Sequence, residues 1–337
     1  MSWKRTLVLG LVGTVTGVAG LAAGAVAYAA LTTEARLQFP DAPIPDLAAS
    51  ADPELIARGR YLVHGPAHCS ACHSTDDRDH PEKVHTAPVA GGLPFHMGPL
   101  GSRFARNLTP DPETGIGAIP DGLVARAIRS GVLPDGELSF FMRLACATPS
   151  DDDVVAILSY LRSLDPVDHP VDPGHWALFG KVLLTYAFPP LTPRDDPPPV
   201  RVPEAEEPSV ERGAYVAEHL ALCTSCHTAM DPSTFEPVGP KAGGSLPEAS
   251  HGADSDMEFV APNLTAHATG VTGRLDEEAF LARIKQGRAY VSSIMPWENL
   301  QDTSESDLRS VYRYLRSLPP VDHDSGPPYR PVGWTAP

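Results

Sequence analysis

Positive charge is scarce in this chain: 26 Lys and Arg stand against 42 Asp and Glu over 337 residues, a formal net charge of -16. Nucleic-acid binding rests on neutralising phosphates with Lys and Arg, so no nucleic-acid partner is expected. A solvated acidic surface, or docking to a basic partner, fits the balance instead. Cysteine is also sparse, at five residues. Four of them sit in two tight pairs, Cys69/Cys72 and Cys223/Cys226, rather than spread through a disulfide framework. Long apolar runs are few: residues 7–30 form an uncharged stretch long enough to span a bilayer, while 176–188 is too short and contains Lys181. Proline is the excess, with 37 residues, about twice the usual share of roughly 5%. It points to irregular connections and short helices, and away from a sheet-rich or coiled-coil protein.

The long run follows Lys4 and Arg5, so residues 1–33 read as a signal peptide or an N-terminal membrane anchor. Left in place, this helix holds the chain to the membrane with its positive end inside. Ala27-Tyr28-Ala29 also reads as a small-residue cleavage site. Both readings put residues 35–337 outside the cytoplasm, on the periplasmic side.

The chain repeats itself. The two cysteine pairs are 154 residues apart, and other features recur near that offset. Arg58-Gly59 returns as Arg212-Gly213, Tyr61 as Tyr215, and Asn107-Leu108-Thr109 as Asn263-Leu264-Thr265. Tyr160-Leu161-Arg162-Ser163-Leu164 returns as Tyr314-Leu315-Arg316-Ser317-Leu318. Two copies of one domain follow, at 50–165 and 206–323, with a proline-rich linker at 166–205 and a tail at 324–337.

Each copy reads as helical, so the expected fold is all-α. Asp52-Pro53 starts a helix to about His64, and Ser209 one to about Leu222. Ser150 with Asp153, and Ser304 with Asp307, have the spacing of a capping box. Val154, Ile157, Leu158 and Leu161 then share one helical face, as do Leu308, Val311, Tyr312 and Leu315. Short helices fit 121–130 and 276–286, stopped by Gly131 and Gly287. The apolar stretch 176–188 reads as an interdomain packing helix, with membrane-surface contact as its second reading.

Each pair opens a C-x-x-C-H motif: Cys69-Ser70-Ala71-Cys72-His73 and Cys223-Thr224-Ser225-Cys226-His227. This is the attachment signature of c-type haem. On one helical turn the two thiols can reach the two vinyl groups of one porphyrin, and the adjacent histidine lies under the iron. A redox disulfide or half a zinc site would use the same pair. The βαβ setting of the first is missing, and zinc would need ligands from distant copies. The expected cofactors are therefore two covalently bound haem c groups on Cys69, Cys72, Cys223 and Cys226, with His73 and His227 as iron ligands.

Methionine and histidine are the usual sixth ligands. Met142 lies 69 residues after His73 and Met295 lies 68 after His227, each before the last helix of its copy. That parallel selects them over Met97, Met230 and Met257. His64, His68, His96 and His219 read as surface or propionate-bonding histidines. Cys146, the odd cysteine, reads as a buried inert thiol. Asn107 and Asn263 should fix loops through side-chain-to-backbone bonds. Arg162 and Arg316 could pair with haem propionates or sit in solvent.

The motifs resemble the di-haem cytochrome c family related to the cytochrome c subunits of membrane-bound alcohol and gluconate dehydrogenases. The resemblance is carried by RGRYLVHGPAHCSACH, ARNLTPDPETGIG, APNLT, IMPWENLQD and VYRYLRSLPPV. It implies two tandem all-helical cytochrome c domains that take electrons from a redox partner, a dehydrogenase subunit or another cytochrome, and pass them on. The dehydrogenase subunits of that family carry three haems, whereas this chain has two motifs. An iron held by His and Met has no open position, so electron transfer is expected and no catalytic residue is assigned. The other class is a haem enzyme, peroxidase-like or thiosulfate-oxidising, with one iron open or differently ligated.

Overall fold

The uncharged run at the N-terminus forms most of one long helix, α1 (Trp3–Arg36). It was described, with the rest of the chain, from a computed structural model covering residues 3–74, 84, 87–144, 146–204, 207–249, 256–290 and 293–335, with backbone only for 3–13. The expected boundary at 205/206 lies outside the described residues. Helix α2 (Pro53–His64) starts where its residues dictate: the Asp52 carboxylate accepts the Glu54 N–H at 2.9 Å, and Pro53 occupies the first turn. The first cysteine pair forms the short helix α3 (Cys69–His73). Strands β1 (Pro94–His96) and β2 (Gly101–Phe104) follow, then α4 (Asp121–Ser130), ended by Gly131 at φ 80°. Helix α5 (Phe140–Leu144), α6 (Asp151–Ser163), strand β3 (Gly174–Trp176) and α7 (Leu178–Tyr186) complete this half.

The second half repeats the plan. Helix α8 (Val210–Tyr215) is capped by Ser209 and runs on through a wider turn at Val216–Leu220. The second pair forms α9 (Cys223–Cys226). Strands β4 (Glu248–Ala249) and β5 (Met257–Phe259) precede α10 (Val271–Arg274), α11 (Glu277–Gln286), α12 (Trp297–Asp302) and α13 (Glu305–Ser317). Strand β6 (Tyr329–Pro331) closes it.

The all-α expectation is overturned. About 43% of the chain is helical and 8% is strand, in two small sheets ordered β1-β2-β3 and β4-β5-β6, so the fold is mixed α/β with much irregular chain. All the pairings are antiparallel. The cause is local. The loop after each cysteine helix folds back as a short ladder, and the segment leaving α6 or α13 adds a third strand: Gly101 pairs with Trp176, and Phe259 with Tyr329. Strands of two to four residues leave no alternating pattern long enough to read in the sequence.

Glycine decides how α2 meets α6, and how α8 meets α13. A Cβ on Gly59 would lie 1.9 Å from Ala156 O, and one on Gly213 would lie 1.9 Å from Ser310 O. Only a bare backbone allows α2 to approach α6, and α8 to approach α13, so closely. Ala156 and Tyr160 meet Gly59, and Ser310 and Tyr314 meet Gly213, while the apolar faces read from sequence go into the core: Val154, Ile157, Leu158, Leu161, Leu308, Val311, Tyr312 and Leu315 are all buried. Burial of each such side chain contributes about 1.5–3 kcal/mol. One hydrophobic core runs through residues of both halves.

The expected capping boxes are half formed. Ser150 accepts the Asp153 N–H at 3.3 Å and Ser304 the Asp307 N–H at 3.1 Å. The two carboxylates turn elsewhere. Asp153 takes both Arg58 nitrogens at 3.0 Å, and Asp307 takes both Arg212 nitrogens at 2.7 Å. Each also accepts a tyrosine from the opposite half: Tyr215 donates to Asp153 at 2.7 Å and Tyr61 to Asp307 at 2.6 Å. The Ser150 N–H is satisfied by the Tyr215 hydroxyl at 3.0 Å. Paired residues of the repeat thus join the halves reciprocally.

Candidate haem sites

Each cysteine helix begins at a residue in the left-handed region, His68 at φ 41° and Leu222 at φ 52°. These positions correspond in the repeat. A non-glycine residue held there marks a place where the surroundings override local preference. Leucine in particular does not favour such a conformation, so the sequence does not disclose the shared geometry.

None of the five cysteines is in a disulfide. Burial, then the neighbouring thiol, pushes Cys69 and Cys223 up to about 12, so both are neutral thiols. Burial also raises Cys226. The histidine closing each motif is fixed by a backbone carbonyl: His73 Nδ1 lies 2.6 Å from Arg106 O, and His227 Nδ1 lies 2.7 Å from Pro262 O. A carbonyl only accepts, so Nδ1 carries the proton. Burial lowers both histidines, outweighing the carbonyl bond, and keeps the rings neutral. Nε2 then bears the lone pair, the tautomer a metal ligand needs.

The surroundings of the two methionines differ. Met142 sits in α5 with its sulfur 3.3 Å from Cys146 Sγ. Burial, then the neighbouring Cys72 and Cys69 thiols, pushes Cys146 up to about 12. The first site therefore gathers Cys69, Cys72, Cys146 and Met142. Its methionine segment is pinned by Arg194, which donates to Met142 O at 2.7 Å, Ile128 O at 3.0 Å and Cys146 O at 3.2 Å. Arg194 lies in the expected linker, where nothing marks it for this task. Met295, partly buried against the core, is pinned from its own half. Arg288 donates to its carbonyl at 3.3 Å while forking onto Glu298 at 2.7 and 2.9 Å. Arg283 lies over the Trp297 ring at 4.0 Å.

The remaining residues singled out in the sequence have identifiable partners. Asn107 accepts the Thr109 N–H at 2.9 Å and donates to Val167 O at 2.9 Å. Asn263 does the same with Thr265 at 2.9 Å and Val321 O at 2.7 Å. Both hold the loop to the chain leaving the last helix. Arg162 is held by the protein: it binds Asp121 at 2.7 Å, Ile116 O at 2.6 Å and Ile119 O. Arg316 donates to Thr272 O at 2.7 Å. His64 bonds the Tyr160 hydroxyl at 2.8 Å, and His219 bonds Thr148 at 3.0 Å.

No protein-family model matches the chain. Curated proteins do. It is 30% identical over 294 residues to the cytochrome c subunit of alcohol dehydrogenase (quinone) from Gluconobacter oxydans, covering 81% of this chain and 57% of that protein. It is 28% identical over 280 residues to the gluconate 2-dehydrogenase cytochrome c subunit of Pantoea cypripedii, covering 80% and 60%. The chain is a homologue of dehydrogenase cytochrome c subunits. It is also 23% identical over 291 residues to a dihaem cytochrome c of Cereibacter sphaeroides, covering 81% of this chain and 91% of that protein. The chain thus spans about three fifths of the two dehydrogenase subunits.

Covalently bound haem c is the group implied by the cytochrome c homologues. The donor set fits that group. Each motif offers two free thiols on one turn and, beside them, an imidazole presenting Nε2.

Proposed function

We propose that this chain is a di-haem c-type cytochrome that carries electrons from a dehydrogenase to a downstream acceptor on the periplasmic side of the membrane. One haem is held by Cys69 and Cys72 with His73 and Met142 as ligands, the other by Cys223 and Cys226 with His227 and Met295. The observation that carries this reading is the duplicated constellation: two thiol pairs outside disulfides, each followed by a neutral histidine locked through Nδ1 to a carbonyl. The haem supplies the reversible one-electron change. The chain's own residues set the donors, exclude water and fix the histidine tautomer.

The two units are 50–165 and 206–323, joined by 166–205. Support for treating them as a pair comes from the matched Arg–Asp–Tyr bridges. The tail after 323 adds β6 to the second sheet. The dehydrogenase partner is inferred from the homologues, which are cytochrome c subunits of dehydrogenases. Helix α1 is the membrane anchor: its stretch Thr14–Arg36 is apolar enough to span, and only 6% of its most apolar window is buried.

A second reading, a haem enzyme with a differently ligated first iron, draws on Cys146 beside Met142. Absorbance of the oxidised protein separates the two. The electron-carrier reading expects the weak methionine-to-iron band, diminished in Met142→Ala and again in Met295→Ala. A wild type without that band, or one that binds cyanide readily, contradicts it.

A further inference from the structure

Helix α7 has one apolar face that the protein leaves bare. Leu178, Phe179 and Tyr186 are each about half exposed, and at helical spacing they lie within one stripe with Val182. On the other side, Gly180 seats the helix on the turn at 98–100: a Cβ there would meet Leu100 O at 2.3 Å. The Ala177 N–H also donates to Leu100 O at 2.9 Å. The exposed stripe is therefore held rigidly and is not a frayed end.

The position of α7 along α1 says what covers the stripe. Its polar contacts gather on one short stretch of α1. Thr33 Oγ1 bonds Lys181 O at 3.2 Å and Thr185 Oγ1 at 2.9 Å, and Lys181 Nζ pairs with Glu34 at 2.6 Å. Arg36 reaches Thr185 O at 3.5 Å. These residues lie where the uncharged run 7–30 gives way to charge. One bond runs deeper: the Tyr186 hydroxyl donates to Ala25 O, inside the run, at 2.9 Å. Tyr28 and Leu31 of α1 are exposed at the same level. Amphipathic aromatics, half-exposed aliphatics and flanking Lys and Arg at the end of a spanning helix are the composition of a membrane–water interface.

We propose that α7 lies in the headgroup layer of the bilayer that α1 crosses, with Leu178, Phe179 and Tyr186 buried among lipids. This rests on the reading of α1 as a retained anchor. Because β3 runs directly into α7 and pairs with β2, the first half is then held against the membrane at two places, through α1 and through α7. That fixes its orientation and not only its distance.

The test uses the full, haem-loaded chain in phosphatidylcholine–phosphatidylglycerol vesicles, with the spectrum of the identically treated wild type subtracted to remove any label on Cys146. A nitroxide is placed at Phe179→Cys, with Val18→Cys reporting α1 and Val200→Cys reporting water. An unchanged haem spectrum verifies that each variant is folded. The expected result is that positions 18 and 179 collide with oxygen and are shielded from a water-soluble nickel chelate several-fold relative to 200. A label at 179 as open to nickel as that at 200, with 18 still shielded, overturns the proposal and leaves the anchor intact. A label at 18 open to nickel overturns the anchor reading and this proposal with it.

Discussion

In the second half the bridging ion pair is sealed: the Arg212 and Asp307 side chains are 2% and 0% exposed. In the first half Arg58 remains 14% exposed, and Asp153 has a further cation, Arg201, at 3.6 Å. The repeat has kept the bond and changed its surroundings. The same holds at the methionines. Met142 is pinned by Arg194 from the connecting segment and has a second sulfur beside it, while Met295 is pinned by Arg288 and Glu298 from its own half. A duplicated frame can thus carry two sites that differ in their supports, and single substitutions should separate them.

The largest effect is expected at the sealed pair. Arg212→Ala strands a buried carboxylate and should cost about 3–5 kcal/mol of stability. Arg58→Ala should cost clearly less, because Arg201 remains beside Asp153. Equal losses in chemical unfolding of the haem-loaded protein would erase the contrast. Next come Gly59→Ala and Gly213→Ala, each forcing a methyl group into a carbonyl at 1.9 Å. Both should lose about 1–3 kcal/mol and by similar amounts, since here the halves are alike; thermal unfolding of the pair checks this. Arg194→Ala removes charge-assisted bonds worth about 1.5–3 kcal/mol each at most. It should loosen the first site alone, so the methionine-to-iron band should fall by the share that Met142→Ala removes, with Arg288→Ala acting on the other share.

The smallest effect is in pH. Burial alone would raise the Asp153 carboxyl, but the hydrogen bonds and charge of Arg58, with help from Tyr215 and Arg201, outweigh it and hold it below the ordinary carboxylate range. A carboxyl depressed on folding adds stability that is complete above its unfolded value, about 3.9, and is lost as pH falls through the folded value. Wild type should therefore keep this contribution to lower pH than Arg58→Ala does. Acid titration followed by circular dichroism reads the difference.

Much of this was legible in the sequence where the signal is local. Asp52, Ser150, Ser209 and Ser304 cap the helices they precede, and Gly131 stops α4. Asn107 and Asn263 bind the loops they start. What could not be read depends on distant partners. The two sheets join strands separated by some seventy residues, each too short to leave a pattern. Tyr61 meets Asp307 across 246 positions. Arg194 looks like linker charge and holds three carbonyls of the first site. The expected capping boxes are only half formed for the same reason: each serine accepts the aspartate N–H, but the Asp153 and Asp307 carboxylates bind partners far away in sequence.

Mass spectrometry of the mature chain tests the central claim most directly. The account predicts two covalent haem additions, one lost in Cys69→Ala/Cys72→Ala and the other in Cys223→Ala/Cys226→Ala. A chain with a single addition, or with either pair recovered as a disulfide, would contradict it.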